Sequence, residues 1–130
     1  MKLNRSTSYA VLAVGYFARH PDERIVLTKT IAKECGIPPE YLHKIMQQLV
    51  RINVLTSKRG PKGGFSLARP LSSISMLEVI EAAEGPMDIS LGLSDTAPRD
   101  KYAKKAEQAY DKVIARTRAA LSRVKLSSLV

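Results

Sequence analysis

Hydrogen-bonding side chains recur along one face of residues 39–52. Apolar residues repeat there at the i, i+3, i+4 and i+7 spacing of a buried helical stripe, at Leu42, Ile45, Met46, Leu49 and Ile52. The opposite face is left to His43, Lys44, Gln47, Gln48 and Arg51. Lysine can donate to guanine O6 or N7, glutamine can read adenine, and histidine can donate or accept. The pattern predicts a helix whose exposed face can form directional hydrogen bonds with base edges.

A glycine-rich basic segment follows, with the sequence Lys58-Arg59-Gly60-Pro61-Lys62-Gly63-Gly64. The runs on either side of it, residues 54–57 and 65–68, are short and β-prone, which predicts a hairpin with this segment at its tip. Glycine lets a backbone approach a groove closely, and arginine and lysine supply phosphate or minor-groove contacts. A solubilising basic turn is the alternative, but the position after two short helices favours a DNA-contacting wing.

Two short helices are expected to position these groups. Thr28 is predicted as the N-cap of a helix that ends at Cys35, and Gly36 can adopt the left-handed conformation that closes it. Pro39 suits the first position of the next helix. The connection between them, residues 35–38, has the length and the glycine of a helix-turn-helix, although other helical hairpins share these features.

The remaining elements frame this unit. An apolar helix is predicted over residues 4–20, and residues 25–27 form a short strand or an extended link. Ser75 and Glu78 form a capping box that begins a fourth helix, which ends at Gly85. Residues 85–98 contain two glycines, two prolines and two aspartates and are predicted as a loop.

A long helix is predicted over residues 100–123, with one narrow apolar stripe. The stripe consists of Tyr102, Ala106, Ala109, Val113, Ala120, Leu121 and Val124, and Thr117 fills its remaining position. Such a stripe suits pairing with the same helix of a second copy. Packing on its own domain is the alternative.

The charge distribution favours a polyanionic partner. The chain has 21 Lys and Arg against 12 Asp and Glu, a formal net charge of +9. The net charge is +8 in residues 1–70, −5 in residues 71–98 and +6 in residues 99–130. Nucleic acid and an anionic membrane surface both attract such a chain. The basic C-terminal helix has no Trp or Phe anchor, which argues against the membrane.

Several function classes lack the residues they need. The single cysteine, Cys35, cannot form an intrachain disulfide or a multi-cysteine metal site. We expect it to be a small buried hydrophobe, and a redox-active thiol is the alternative. No catalytic Ser/His/Asp spacing and no metal-ligand spacing appears, so an enzyme is not expected. No secretion signal or membrane-spanning run is recognisable, and the expected location is the cytoplasm.

The motifs together resemble the Rrf-two (Rrf2) family of bacterial winged-helix transcription regulators, which includes IscR, NsrR and CymR. The resemblance lies in the apolar first helix, the Ile31-Ala32…Gly36-Ile37…Tyr41-Leu42…Leu49 pattern, the Arg59-Gly60-Pro61-Lys62-Gly63-Gly64-Phe65 wing and the Ile74-Ser75-Met76-Leu77-Glu78-Val79-Ile80 helix. It implies a mainly α fold with a small β-hairpin wing, a winged helix-turn-helix followed by a long C-terminal dimerisation helix. It further implies a homodimer that binds a palindromic operator in double-stranded DNA, most simply as a repressor.

Cluster-sensing members of this family place their ligands after the fourth helix and at the start of the long helix. The matching positions here fall near Gly92, Pro98, Lys104 and Glu107. Glycine and proline have no ligand atom and lysine is a cation, so we expect no cluster and no other cofactor. The predicted division is residues 1–84 for DNA binding, 85–98 as a flexible, degenerate sensor loop, and 99–130 as dimerisation helix and tail.

In the predicted DNA complex the third helix enters the major groove with its N-terminal half first. Arg59 inserts into the minor groove, and other residues reach bases or phosphates. The predicted contact residues are Thr28, Lys29, Pro39, Tyr41, His43, Lys44, Gln47, Lys58, Arg59 and Lys62, with Ser6 to Ser8 as further phosphate contacts. Two alternatives stay open: a non-specific nucleic-acid-binding protein, and a regulator whose signal is a protein partner or small ligand held by the 85–98 loop.

Overall fold

A computed structural model describes residues 3–61, 63–87 and 90–130 of the chain. Its elements in chain order are α1 (Arg5–Arg19), α2 (Thr28–Cys35), α3 (Pro39–Arg51), β1 (Leu55–Lys58), β2 (Gly64–Leu67), α4 (Met76–Glu84), α5 (Leu93–Thr96) and α6 (Lys101–Arg123). Two 3₁₀ turns lie at Leu71–Ser73 and Leu126–Leu129. The architecture is the predicted winged helix-turn-helix followed by a long C-terminal helix. None of the described helices combines the length and the apolar content that a bilayer crossing needs.

The apolar stripe of α3 faces a core that α1 and α4 complete. Leu42, Met46 and Leu49 have no exposed surface, and Ile45 is 2% exposed. They pack in one cluster with Val14 and other α1 residues, and α1 itself packs chiefly against α4 and α3. Burial of each such side chain contributes about 1.5–3 kcal/mol. This burial fixes the rotation of α3, and with it the direction in which the polar face points.

Local signals set the joint between α2 and α3. Gly36 adopts the left-handed conformation with φ 69°, and its N–H donates to the carbonyl of Ala32, so the predicted helix end is confirmed. Pro39 begins α3, also as predicted. The predicted N-cap at Thr28 is wrong. Leu27, in extended backbone, caps α2, and Thr28 is already helical and makes no capping hydrogen bond with its side chain.

The reason for this earlier start lies in the hairpin. Val26 exchanges two backbone hydrogen bonds with Phe65, each 2.8 Å long, so the extended link of residues 25–27 is pinned to β2 until the helix begins. The strands themselves lie one residue from their predicted places. Leu55 pairs with Leu67 and Lys58 with Gly64, because Val54 is still held by a bond from its N–H to the carbonyl of Leu49.

The C-terminal part folds back on α4. The capping box of Ser75 and Glu78 is confirmed, and Leu121 of α6 packs against Leu77 and Ile80. Hydrogen bonds from Met76 N–H to Val124 and from the Leu126 N–H to Ile74 return the chain end to the start of α4. Part of the predicted apolar stripe of α6 therefore packs within its own chain. In the described part of the segment predicted as a loop, residues 93–96 form a short helix, α5.

Candidate nucleic-acid interface

A surface groove of about 600 Å³ runs between the start of α2, the exposed face of α3 and the hairpin. We call it the wing groove, and its lining residues are Leu27, Thr28, Lys29, His43, Gln47, Ser57, Lys58, Arg59, Gly60, Gly63, Gly64 and Phe65. Six of the ten predicted contact residues line it: Thr28, Lys29, His43, Gln47, Lys58 and Arg59. The fold thus joins three segments that are separated in sequence into one polar and cationic surface.

Phe65 holds the wall of the groove in place. Its ring is 5% exposed and lies edge-to-face against His43, with ring centroids 6.0 Å apart. The same residue carries the two backbone bonds to Val26. One residue therefore ties α3, through its ring, and the link before α2, through its backbone, to the hairpin. The contact fixes where the His43 imidazole, a donor and acceptor for base edges, sits relative to the wing.

The glycines of the wing are required by close backbone approach. A Cβ on Gly63 would lie 2.1 Å from the carbonyl oxygen of Lys58, and one on Gly64 would lie 2.6 Å from that of Val26. Any side chain at either position would force the hairpin open or away from α2. The tight tip leaves Lys58 and Arg59 exposed, and neither forms an ion pair with a described carboxylate. Two free cations at a narrow tip suit contacts to phosphates and to the minor groove.

Three other predicted contact residues, Pro39, Tyr41 and Lys44, do not line the wing groove. Pro39 and Lys44 are exposed on α3 outside it. The hydroxyl of Tyr41 is 2.6 Å from that of Ser6, and its ring meets Tyr9 edge-to-face, so this side chain is directed toward α1. Lys62 lies outside the described residues.

Thr7, one of the suggested phosphate contacts, is not available for that role. It is 3% exposed, and its hydroxyl donates to the Glu84 carboxylate over 2.7 Å. Sequence reasoning also missed Ser57, which lines the groove from β1. Its position three residues before a glycine at the hairpin tip is the signal that could have identified it.

The glutamates of the acidic middle segment are engaged within the domain. Glu78 forms an ion pair with Arg69 at 2.5 Å, and Glu81 forms one with Arg118 at 2.9 Å. The Glu84 carboxylate accepts hydrogen bonds from Asn4 and Thr7 at the start of α1. Partial burial works against ionisation of Glu81, but hydrogen bonds from Arg118 and from the Met87 N–H outweigh it and lower its pKa. These three carboxylates hold α4 to its neighbours, and none of them lines the wing groove.

The region that corresponds to a cluster site contains a different arrangement. The Glu107 carboxylate accepts hydrogen bonds from the hydroxyls of Ser94 and of Ser90, the latter at 2.7 Å. These bonds, that of Ser94 foremost, lower the pKa of Glu107. We call Ser90, Ser94 and Glu107 the loop clasp, because it fastens α5 and the residues before it to α6.

These residues do not fit an iron–sulfur cluster. Gly92 and Pro98 offer no donor atom, Lys104 is an exposed cation, and the carboxylate of Glu107 is already taken by two hydroxyls. Cys35 lies elsewhere, half-buried against the core, with its sulfur 3.9 Å from the Leu12 carbonyl. Across the described residues, no three His, Cys, Asp or Glu side chains come together in a way that could hold a metal ion. Absence of a cofactor stays a prediction.

Known structures share this fold over nearly the whole chain. CymR of Bacillus subtilis, the global cysteine regulator, superimposes with a TM-score of 0.79 at 20% identity, covering 99% of this chain and 95% of CymR. IscR of T. potens gives a TM-score of 0.76 at 26% identity, covering 99% of this chain and 85% of that one. Both similarities include the long C-terminal helix.

Sequence comparison leads to the same group of proteins. An HTH-type transcriptional regulator of Mycobacterium tuberculosis is 35% identical over 96 residues, which are 71% of this chain and 60% of that protein. One from Aquifex aeolicus is 38% identical over 81 residues, 62% of this chain and 56% of its own length. The match thus spans less than two thirds of these relatives. The Rrf2 family model, described as "Iron-dependent Transcriptional regulator", matches residues 3–130. The chain belongs to the Rrf2 family, whose model is described as that of a transcriptional regulator.

Proposed function

We propose that this chain is a repressor that binds a palindromic operator in double-stranded DNA as a homodimer, in the cytoplasm and without an iron–sulfur cluster. The wing groove is the observation that carries the proposal. It joins the first turn of α2, the exposed face of α3 and the wing cations on one surface. Charge, donors and shape on that surface are those that duplex DNA requires.

In this proposal the N-terminal half of α3 lies in the major groove. His43 and Gln47 read base edges. Lys44 follows His43 in α3 but lies outside the wing groove, and it reaches a guanine or a phosphate. Arg59 enters the minor groove, with Lys58 and Lys62 on the flanking phosphates. Thr28 and Lys29 present the α2 N-terminus to a phosphate, where free N–H groups and the helix dipole favour an anion. Pro39 and Tyr41 are at the edge of this contact and add phosphate contacts at most.

The exposed face of α6 supports the homodimer. Tyr102 is 79% exposed and Val113 is 58% exposed, and Ala109 and Ala120 lie on the same side of the helix. Apolar side chains at this spacing suit a helix–helix seam across a two-fold axis. Two copies related in this way would present their α3 helices to half-sites about 34 Å apart, one turn of DNA.

The test measures binding before and after removal of the wing arginine. Operator fragments are selected from the host genome with the purified protein, and fluorescence anisotropy then gives the affinity at physiological salt. Loss of one groove arginine costs about 1–3 kcal/mol, so Arg59→Ala should weaken operator binding by roughly 5- to 150-fold. Arg24→Ala removes the same charge from an exposed position outside the wing groove and should leave affinity within about twofold.

Non-specific nucleic-acid binding makes a different prediction. A regulator should prefer its operator over random duplex by about a thousandfold or more. Equal affinities for operator and random duplex would favour the non-specific alternative. Unchanged operator affinity in Arg59→Ala would refute the wing assignment itself.

A further inference from the structure

The long helix α6 has a second, separate cationic surface. Successive residues of an α-helix turn by about 100°, so five of its cations fall within one sector about 60° wide. These five are Lys101, Lys105, Lys112, Arg116 and Arg123, and we call them the α6 basic stripe. All five are exposed, and the only other α6 residue in the sector is Ala119. From Lys101 to Arg123 the stripe extends about 33 Å along the helix.

The stripe is not neutralised within the chain. None of its members forms an ion pair with a described carboxylate. The acidic residues of α6, Glu107 and Asp111, lie in the opposite half of the helix, where Glu107 belongs to the loop clasp. Within the stripe, Lys101 and Lys105, and Lys112 and Arg116, are like charges at i,i+4, a spacing that disfavours the helix. A bound polyanion would remove this repulsion.

The stripe and the wing groove lie on different sides of the protein. The wing groove is formed by the α3 face that points away from Leu42 and Met46, and those residues pack into the core beside α4. On the far side, α4 packs against α6 through Leu77, Ile80 and Leu121. Because α4 separates the two surfaces, a short straight duplex in the wing groove cannot also lie along the stripe.

We propose that the α6 basic stripe binds the phosphate backbone of a second duplex, so that the protein bridges two DNA segments. The composition of the stripe favours nucleic acid over an acidic protein, because protein interfaces need an apolar or aromatic centre and this sector has none. The length of about 33 Å is close to one turn of B-DNA, and every contact it offers is to charge alone. The contact of the stripe with a duplex goes beyond operator binding and does not require the wing, whereas bridging uses both surfaces.

The test counts duplexes with the full chain. The probes are two 30-base-pair duplexes that carry the selected palindromic operator, one with a donor dye and one with an acceptor, so the first duplex occupies both wing grooves of the homodimer. Binding is followed by energy transfer and sedimentation velocity. The stripe variant combines Lys105→Gln, Lys112→Gln and Arg116→Gln, all at exposed helical positions where glutamine is tolerated. A charge-matched control combines Arg24→Gln, Lys33→Gln and Lys104→Gln, which are exposed and outside the stripe.

The wild-type protein should bind a second duplex and give energy transfer, as should the control. Each phosphate contact contributes about 0.9 to the slope of log K against log salt, so the stripe variant should lose about 2.7 from the slope of the second step. Between 50 and 200 mM salt, the affinity of the stripe variant for the second duplex should therefore change about 40-fold less than that of the wild-type protein. The first duplex should bind the stripe variant as it binds wild type.

The inference would be overturned by a wild-type protein that never binds a second duplex, or by a stripe variant that still bridges two duplexes. Poly-glutamate serves as a probe for acidic proteins. A stripe variant that no longer binds poly-glutamate but keeps the second duplex would also overturn the inference. The last result would assign the stripe to an acidic protein. A Lys58→Ala and Arg59→Ala double variant separates the two proposals, since it should lose only the wing groove. If it lost nothing while the stripe variant lost all binding, the proposed function would fail, and the stripe would stand as a duplex site that does not bridge.

Discussion

Replacement of Gly64 by alanine tests how the wing is seated on the helix-turn-helix. The added Cβ would lie 2.6 Å from the Val26 carbonyl oxygen, 2.9 Å from its carbon and 3.0 Å from a methyl group of Ile25. Two of these three atoms are backbone, so no side-chain rotation relieves the clash. The hairpin must move away from the link before α2, and the paired bonds between Val26 and Phe65 must lengthen or break.

The magnitude follows from those two bonds. Each is 2.8 Å long, and a backbone hydrogen bond contributes about 0.5–1.5 kcal/mol net to stability. Loss of both should lower the free energy of unfolding by about 2 kcal/mol. The displaced wing would also carry Arg59 away from α3, so operator affinity should fall together with stability.

The assay is urea denaturation at one fixed protein concentration, followed by circular dichroism and by tyrosine fluorescence, since the chain has no tryptophan. Gly15→Ala is the matched control, because its Cβ would meet only the flexible end of Arg19 at 3.1 Å. Alanine is favoured over glycine inside a helix by roughly 0.5–1 kcal/mol, so this control should be as stable as wild type or more so. A Gly64→Ala protein within about 0.5 kcal/mol of wild type would refute the close-approach reasoning.

Two further predictions concern α6. Since the folded-state pKa of Glu107 is lowered, the loop clasp stabilises the fold above the ordinary glutamate pKa of about 4.3 and is lost as pH falls below it. Protection of the backbone amides of residues 90–97 from hydrogen exchange, corrected for intrinsic exchange rates, should therefore fall in acid. In Glu107→Gln this protection should be weak and should no longer vary with pH. If the variant kept the acid profile of the wild type, the transition would belong to another group. Val113→Glu would place like charges in the proposed dimer seam and should convert dimer to monomer in sedimentation velocity at micromolar protein. Ala115→Glu, on an exposed face away from the seam, should stay dimeric, and equal behaviour of the two variants would rule out the seam.

Much of the fold could be predicted from short-range signals. A left-handed Gly36, Pro39 at a helix start and the Ser75–Glu78 capping box each act within four residues, so the sequence carries the whole cause. The apolar spacing of α3 likewise identified four residues of its buried stripe, Leu42, Ile45, Met46 and Leu49. The fifth, Ile52, was predicted wrongly: it is 36% exposed, because α3 ends at Arg51 and the chain leaves the helical path there. The family resemblance rested on these same local motifs.

The groove could be predicted only in part. Its basic wing and the polar face of α3 were recognisable, but the role of Tyr41 was not, because its hydroxyl finds Ser6 across 35 positions of sequence. Thr28 failed as an N-cap for a similar reason. Its helix start is set by the pairing of Val26 with Phe65, which no pattern around residue 28 reveals.

By itself the sequence determined most of the elements, the excess of positive charge and, from that excess, the class of partner that we propose, since helix periodicity and net charge are properties of the chain. Only the tertiary structure decided which charges remain available. It paired Glu78 and Glu81 with arginines, engaged Glu84 in hydrogen bonds, and left the wing cations and the α6 basic stripe exposed on two sides. The physical reason is distance: an ion pair acts over a few ångströms, and folding alone brings Glu81 and Arg118, 37 residues apart, within that reach.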